Sequence, residues 1–190
     1  MSLQQLPFRR LLSGREGAIS SLAYSPDGGG LISGGADKSV RHWNLETGKM
    51  IRSLAHTDAV TGVGVTADGV KIISTSADKT VRVWTLASGA AAATITLESP
   101  VRQFSLSADS TRAITAGDDH IIRVWDIATA RELERFTGHE ATVSSLALSA
   151  DNRTVISAAA DKTVRAWTVG VDRLFVADLK SVHTMVLTPE

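Results

Sequence analysis

The stretch Ser157 to Trp167, SAAADKTVRAW, decides how this chain is read, because the chain contains it four times. The other copies are Ser33 to Trp43 (SGGADKSVRHW), Ser74 to Trp84 (STSADKTVRVW) and Thr115 to Trp125 (TAGDDHIIRVW). In each copy an Asp follows the Ser or Thr by four residues and precedes the Trp by six, and an Arg stands two before the Trp. The Trp residues are 41, 41 and 42 residues apart and are the only four in the chain. Self-similarity at a fixed period of this size marks a repeat architecture.

The rest of the composition sets bounds. Of 190 residues, 43% are apolar and 21% charged, with 20 basic against 20 acidic side chains. That balance fits an ordinary globular protein and argues against a nucleic-acid or membrane-surface binder, which needs a net positive field or a basic run. No cysteine is present, so neither a disulfide framework nor a Cys-based zinc site can form. No signal peptide or membrane span is legible; the apolar N-terminal run is short and broken by Arg9 and Arg10. A cytoplasmic location is the corresponding expectation.

In chain order, LPFRRLL (6–12) reads as one short strand, and from Ala18 a four-strand pattern begins. AISSLAYS, LISGG, SVRHWN and KMIRSL are separated by Asp- and Gly-containing turns, and equivalent sets follow in the next three repeats. Blades are expected at about 18–54, 59–97, 100–136 and 141–179, with a last unpaired strand at 182–187. Turns this short make neighbouring strands antiparallel. A four-stranded sheet that is apolar on both faces needs copies of itself to cover them. No sustained helical stripe competes with this reading. Ala-rich 87–97 takes its strand assignment from its place in the period.

The motif [Ser/Thr]-x3-Asp-x4-Arg-x-Trp, four times in register, with Gly138-His139 ahead of Val143, resembles the WD-repeat β-propeller family over essentially the whole chain. The Asp that names the family follows Trp once, as Asp126; elsewhere Asn44, Thr85 and Thr168 stand there. The Ala- and Asp-rich degeneracy resembles bacterial members. The resemblance implies an all-β fold of four four-stranded antiparallel blades, with 6–12 an orphan outer strand and 182–187 an orphan inner strand. Four blades are fewer than such rings normally hold. Either the chain is part of a longer propeller, or a second chain closes the ring, two copies giving eight blades. In such a dimer the orphan strands are surplus, or exchange across the joint by displacing residues 173–179.

His139, Ser157 and Asp161, with the matching His56, Ser74 and Asp78, are the residue types of a hydrolase triad. The resemblance implies instead structural tetrads completed by Trp167 and Trp84, running from indole N–H to hydroxyl to imidazole to the turn Asp. Such a chain satisfies buried polar groups that would otherwise cost about 1–3 kcal/mol each. Repeat one (Ser33, Asp37, Trp43) and repeat three (Thr115, Asp119, Trp125) have no His at this place: Arg15 stands there in one, and a shortened TLESP loop in three. Those blades are expected to be less well tied. No catalytic residue and no cofactor is expected. The five His lack HxH or HxxxH spacing, so no metal site is expected either. Gly62 and Gly64 lie inside a strand and are read as close packing. Each repeated Arg is read as lying along its blade and pairing with a carboxylate.

The resemblance places partner binding at the rim where inner strands begin and the tetrad turns lie. Position by position this selects Ser20, Thr61, Arg102, Asp118, Ser144 and His183, of which Arg102, Asp118 and His183 offer charged or titratable groups. The expected function is a non-catalytic scaffold for a protein or peptide partner, without nucleic acid or membrane. The alternatives are a self-assembling array that closes as a homodimer and, further off, a propeller enzyme or the regulatory domain of a larger enzyme.

Overall fold

A computed structural model of the chain describes residues 11–14, 16–170 and 174–175. The described part is four separate four-stranded antiparallel sheets, each built from consecutive strands. Blade one is β1 (Ile19–Tyr24), β2 (Gly30–Gly35), β3 (Ser39–Asn44) and β4 (Met50–Ala55). Blade two is β5 (Val60–Val65), β6 (Lys71–Ser76), β7 (Thr80–Thr85) and β8 (Ala91–Thr96). Blade three is β9 (Val101–Leu106), β10 (Arg112–Gly117), β11 (Ile122–Asp126) and β12 (Arg131–Phe136). Blade four is β13 (Val143–Leu148), β14 (Thr154–Ala159), β15 (Val164–Thr168) and β16 (Leu174–Phe175). The Ala-rich segment is a strand, as its place in the period requires. Leu11 and Leu12 carry no strand, and 6–10 and 182–187 lie outside the described residues. No described helix is long and apolar enough to cross a membrane.

Two kinds of turn punctuate every blade. After each inner strand a Ser or Thr bonds the Asp two residues on, as in Ser25–Asp27, Thr66–Asp68, Ser107–Asp109 and Ser149–Asp151. The motif turn places Lys38, Lys79, His120 and Lys162 at φ 63, 67, 61 and 66°, the left-handed region that closes a tight hairpin.

The blades stack through their inner strands in the order β1, β5, β9, β13, and each joint is a separate apolar core. Between blades one and two, Ile32, Val40 and Leu54 meet Val60, Val63 and Trp84. Ile73 and Val81 meet Val101 and Trp125 at the next joint, and Ile114 and Ile122 meet Val143 and Trp167 at the third. The Trp of each repeat after the first thus closes the joint to the blade before it. Gly62 and Gly64 make this packing possible: a Cβ at Gly62 would lie 2.7 Å from Phe104 Cβ, and one at Gly64 3.1 Å from the Phe104 ring.

The inner strands depart from strict alternation. Register shifts fall between Ile19 and Ser21, Val60 and Gly62, and Val143 and Ser145, and blade three has one opposite Arg102. A bulge at Ser20, Thr61, Arg102 and Ser144 is what lets Val60 and Val63, three residues apart, enter one core.

Candidate functional site: motif tetrads and the bulged rim

The motif residues of blade two form a continuous hydrogen-bonded chain. Trp84 Nε1–H donates to Ser74 Oγ at 2.8 Å, and the Ser74 hydroxyl lies 2.8 Å from His56 Nε2. His56 Nδ1 stands 2.9 Å from Asp78, which also accepts from Thr57 N–H and from the backbone and hydroxyl of Thr80. These partners assign the neutral imidazole its proton on Nδ1, leaving Nε2 to accept from the serine. Burial pushes His56 below the ordinary histidine range, although Asp78 beside it pulls upward. Burial works against ionisation of Asp78, yet the bonds from Thr80, Thr57 and His56 together hold its carboxyl well below the carboxylate range.

Blade four repeats the chain. Trp167 Nε1–H donates to Ser157 Oγ at 2.8 Å, with His139 2.7 Å from Ser157 and 2.7 Å from Asp161. The Trp167 ring stacks on Phe136 of blade three at 5.3 Å. Ser74 and Ser157 are 0 and 1% exposed. Each hydroxyl oxygen is already held by an indole and a histidine, so the triad-like residue types meet where no substrate carbonyl can reach.

Blades one and three keep the outer half of this arrangement. Trp43 donates to Ser33 at 2.7 Å and Trp125 to Thr115 at 2.8 Å. Arg15 lies outside the described residues. The repeated Arg reaches the turn Asp in both: Arg41 pairs with Asp37 at 3.0 Å, and buried Arg123 with Asp119 at 2.6 Å. In blade two the equivalent Arg82 is 3.5 Å from Asp78, and it lies over Trp84 as Arg165 lies over Trp167. Each of Arg41, Arg82 and Arg123 therefore meets its own turn Asp, and Arg123 also lies 3.7 Å from Glu132. Arg165 bonds Thr163. These pairings were not legible beforehand, because Arg recurs in all four repeats whether or not a His accompanies it.

Of the rim residues, Ser20, Thr61, Arg102 and Ser144 sit at the bulges, and Asp118 in the motif turn of blade three. Ser20 Oγ donates to the carbonyls of Val60 and Gly34, Thr61 meets Thr75 at 3.0 Å, and Ser144 donates to the Ala158 carbonyl at 3.2 Å. Arg102 instead clamps Asp118 through two bonds of 2.7 Å, with about half of each side chain still in solvent. The bond from Arg102 holds the Asp118 carboxyl below its ordinary range. His183 lies outside the described residues. Among the described residues no three His, Asp or Glu side chains cluster in a metal-binding arrangement.

The family model "WD domain, G-beta repeat" matches residues 7–44, 48–85, 93–126 and 130–168. The last three units are offset by one strand from the sheets: 48–85, for example, holds β4 of blade one and β5 to β7 of blade two, so each of these three straddles a joint. The fold is similar to the solved "Structure of U3-55K" (TM-score 0.79, 25% identity, 88% of this chain and 54% of that one). It is equally similar to "Crystal structure of RRP9 WD40 repeats" (TM-score 0.79, 25% identity, 88% and 53%). The chain spans about half the length of these structures. One 34-residue stretch is 53% identical to the "Periodic tryptophan protein 2 homolog" of Neurospora crassa, covering 18% of this chain and 4% of that protein. Nothing in these matches supports a bacterial origin. Four repeat matches over most of its length, on four stacked blades, make this chain a member of the WD40 repeat family.

Proposed function

We propose that the chain is a non-catalytic scaffold that offers the bulged rim of its blade row to a protein or peptide. One observation carries the reading: Arg102 and Asp118 pair in solvent at the rim, while the Ser, His and Asp of the full tetrads are used up inside the blades. An exposed ion pair of this kind contributes only about 0–1 kcal/mol. A peptide carboxylate can therefore replace Asp118 on the guanidinium, or a peptide cation can replace Arg102, at small cost. Membership in the WD40 family supports a protein partner, and the even charge balance supports one over nucleic acid.

Peptides selected from a display library on the wild-type chain test this. Arg102→Ala or Asp118→Ala is expected to weaken the selected peptides about tenfold or more, the effect of roughly 1.4 kcal/mol. Unchanged binding in both variants removes the rim assignment. For the catalytic question, Ser157→Ala is expected to lose stability and no activity. A folded Ser157→Ala protein that had lost a measurable ester hydrolysis would overturn the non-catalytic reading.

A further inference from the structure

The three internal joints differ in their outer halves. Beside the core residues Ile32, Ile73 and Ile114, on the side of each blade that faces the next, stand His42, Val83 and Val124. The residues paired with these on the outermost strands are Arg52, Ala93 and Glu134. Arg52 and Glu134 both reach over their joint to the same place in the next blade, three residues past its Trp. Arg52 Nη2 donates to the Ala87 carbonyl at 2.6 Å, and Glu134 accepts from Gly170 N–H. A cation, a methyl and a carboxylate thus occupy equivalent positions, and only the cation is paired with a titratable residue.

His42 is fitted to its place. Blades two, three and four have Lys71, Arg112 and Thr154 where blade one has Gly30. A Cβ at Gly30 would lie 2.8 Å from His42 Nε2, so the glycine leaves the room that the imidazole takes. On blade two, Gly89 does the same for Arg52: a Cβ there would lie 2.8 Å from Nη1 and 3.0 Å from Cδ.

The setting suits a neutral ring. His42 Nδ1 and Arg52 Nε are both enclosed without a hydrogen-bond partner. The charges that act on the ring are Arg52 beside it on β4 and Asp27 in the first turn. Gly30 and Ile32 of β2 carry none, and the blade-two turn that Arg52 reaches, residues 86–89, has no ionisable side chain. A proton on Nδ1 would find no acceptor, and its charge would stand beside a second cation. Burial and Arg52 hold His42 below the ordinary histidine range, with Asp27 pulling the other way.

We propose that His42 and Arg52 form an acid-released latch on the first joint: protonated His42 drives Arg52 off the Ala87 carbonyl and frees the outer half of blade one from blade two. The folded chain binds this proton less tightly than the unfolded chain, so the latch is closed above about pH 6.5 and weakens as pH falls further. The other two joints carry valine at this position and hold. The latch concerns a joint and does not rest on the rim reading.

Nuclear magnetic resonance of the whole chain, from about pH 7.5 to 5 across the histidine range, is the test. The His42 ring is expected to titrate below the ordinary histidine value. The Ala87 carbonyl carbon, which reports the hydrogen bond it accepts, is expected to shift with the same midpoint. His42→Val, the residue of blades two and three, is expected to hold that carbonyl still throughout. Arg52→Ala, the residue of blade two, is expected to raise the His42 midpoint and to leave the carbonyl unresponsive. His56 also titrates in this range, but it bonds Asp78 at the opposite end of β7 from Ala87, so His56→Gln is expected to leave the response intact. A carbonyl that does not follow His42 in the wild-type chain overturns the proposal. So does a response that survives His42→Val or vanishes in His56→Gln, since either places the titrating group elsewhere.

Discussion

Blades two and three are cut from the same repeat, yet their motif turns are secured by different chemistry. In blade two a neutral histidine links Ser74 to Asp78, so indole, hydroxyl, imidazole and carboxylate form one chain with each partner satisfied. In blade three that chain is cut after Thr115, and Asp119 is held by Arg123, a buried cation whose Nη1 has no hydrogen-bond partner. Ser99 adds a bond to the Asp119 backbone N–H. The difference teaches that the conserved spacing within the chain serves one end, keeping a carboxylate at the turn. A neutral donor does this within a complete network, whereas a charged one carries a desolvation cost that its partner must offset.

The largest expected effect breaks the comparison directly. Ser74→Ala strands two buried groups, Trp84 N–H and His56 Nε2, and should cost about 2–6 kcal/mol at 1–3 for each orphan. Thr115→Val strands only Trp125 N–H and should cost about 1–3 kcal/mol on the same basis. Urea unfolding of both variants checks this, and equal losses would mean that the histidine half of the network adds nothing. Next comes the joint between the two blades. Gly62→Ala places a Cβ against both Phe104 and Thr75 and should cost about 1–3 kcal/mol by overpacking. Gly28→Ala, where nothing lies within 4 Å but φ is +70°, should cost about 1 kcal/mol from backbone strain alone.

A pH titration sharpens the same contrast. His56 binds its proton less tightly folded than unfolded, so the unfolded chain protonates first as pH falls through about 6.5 and stability declines. Asp78, held below its ordinary value, contributes stability that is present above about pH 4 and lost on further acidification. Both slopes have the same sign. Hydrogen exchange should therefore show β6 and β7 loosening at a higher pH than β10 and β11, whose tie contains no histidine. His56→Gln should remove that early onset. The smallest effect is at the hairpins: Lys79→Gly and His120→Gly, both at left-handed residues, should each change stability by less than about 1 kcal/mol.

Much of this was legible because the motif is local. Ser74, Asp78 and Trp84 lie within one hairpin, and four copies of that spacing number the blades and order their strands. The rim was legible only as a location. Ser20, Thr61, Arg102 and Ser144 were chosen by position, but the bulge that orients them breaks the alternation on which strand reading depends. That Arg102 meets Asp118 is equally hidden, since the two stand 16 residues apart at the ends of different strands and no local spacing pairs them.

What the sequence by itself determined is the repeat: its period, its four antiparallel strands and the residues of each tetrad, because those interactions close within about twenty residues of chain. What only the tertiary structure decided is how blades meet. Ser20 reaching the Val60 carbonyl and Gly62 yielding to Phe104 are contacts about forty residues apart. No local pattern specifies them, since the same strand is buried or bare according to whether a neighbour stands against it. Val60 and Ile19 occupy the same place in the repeat; one is 1% exposed and the other 54%, and the neighbouring blade is the difference.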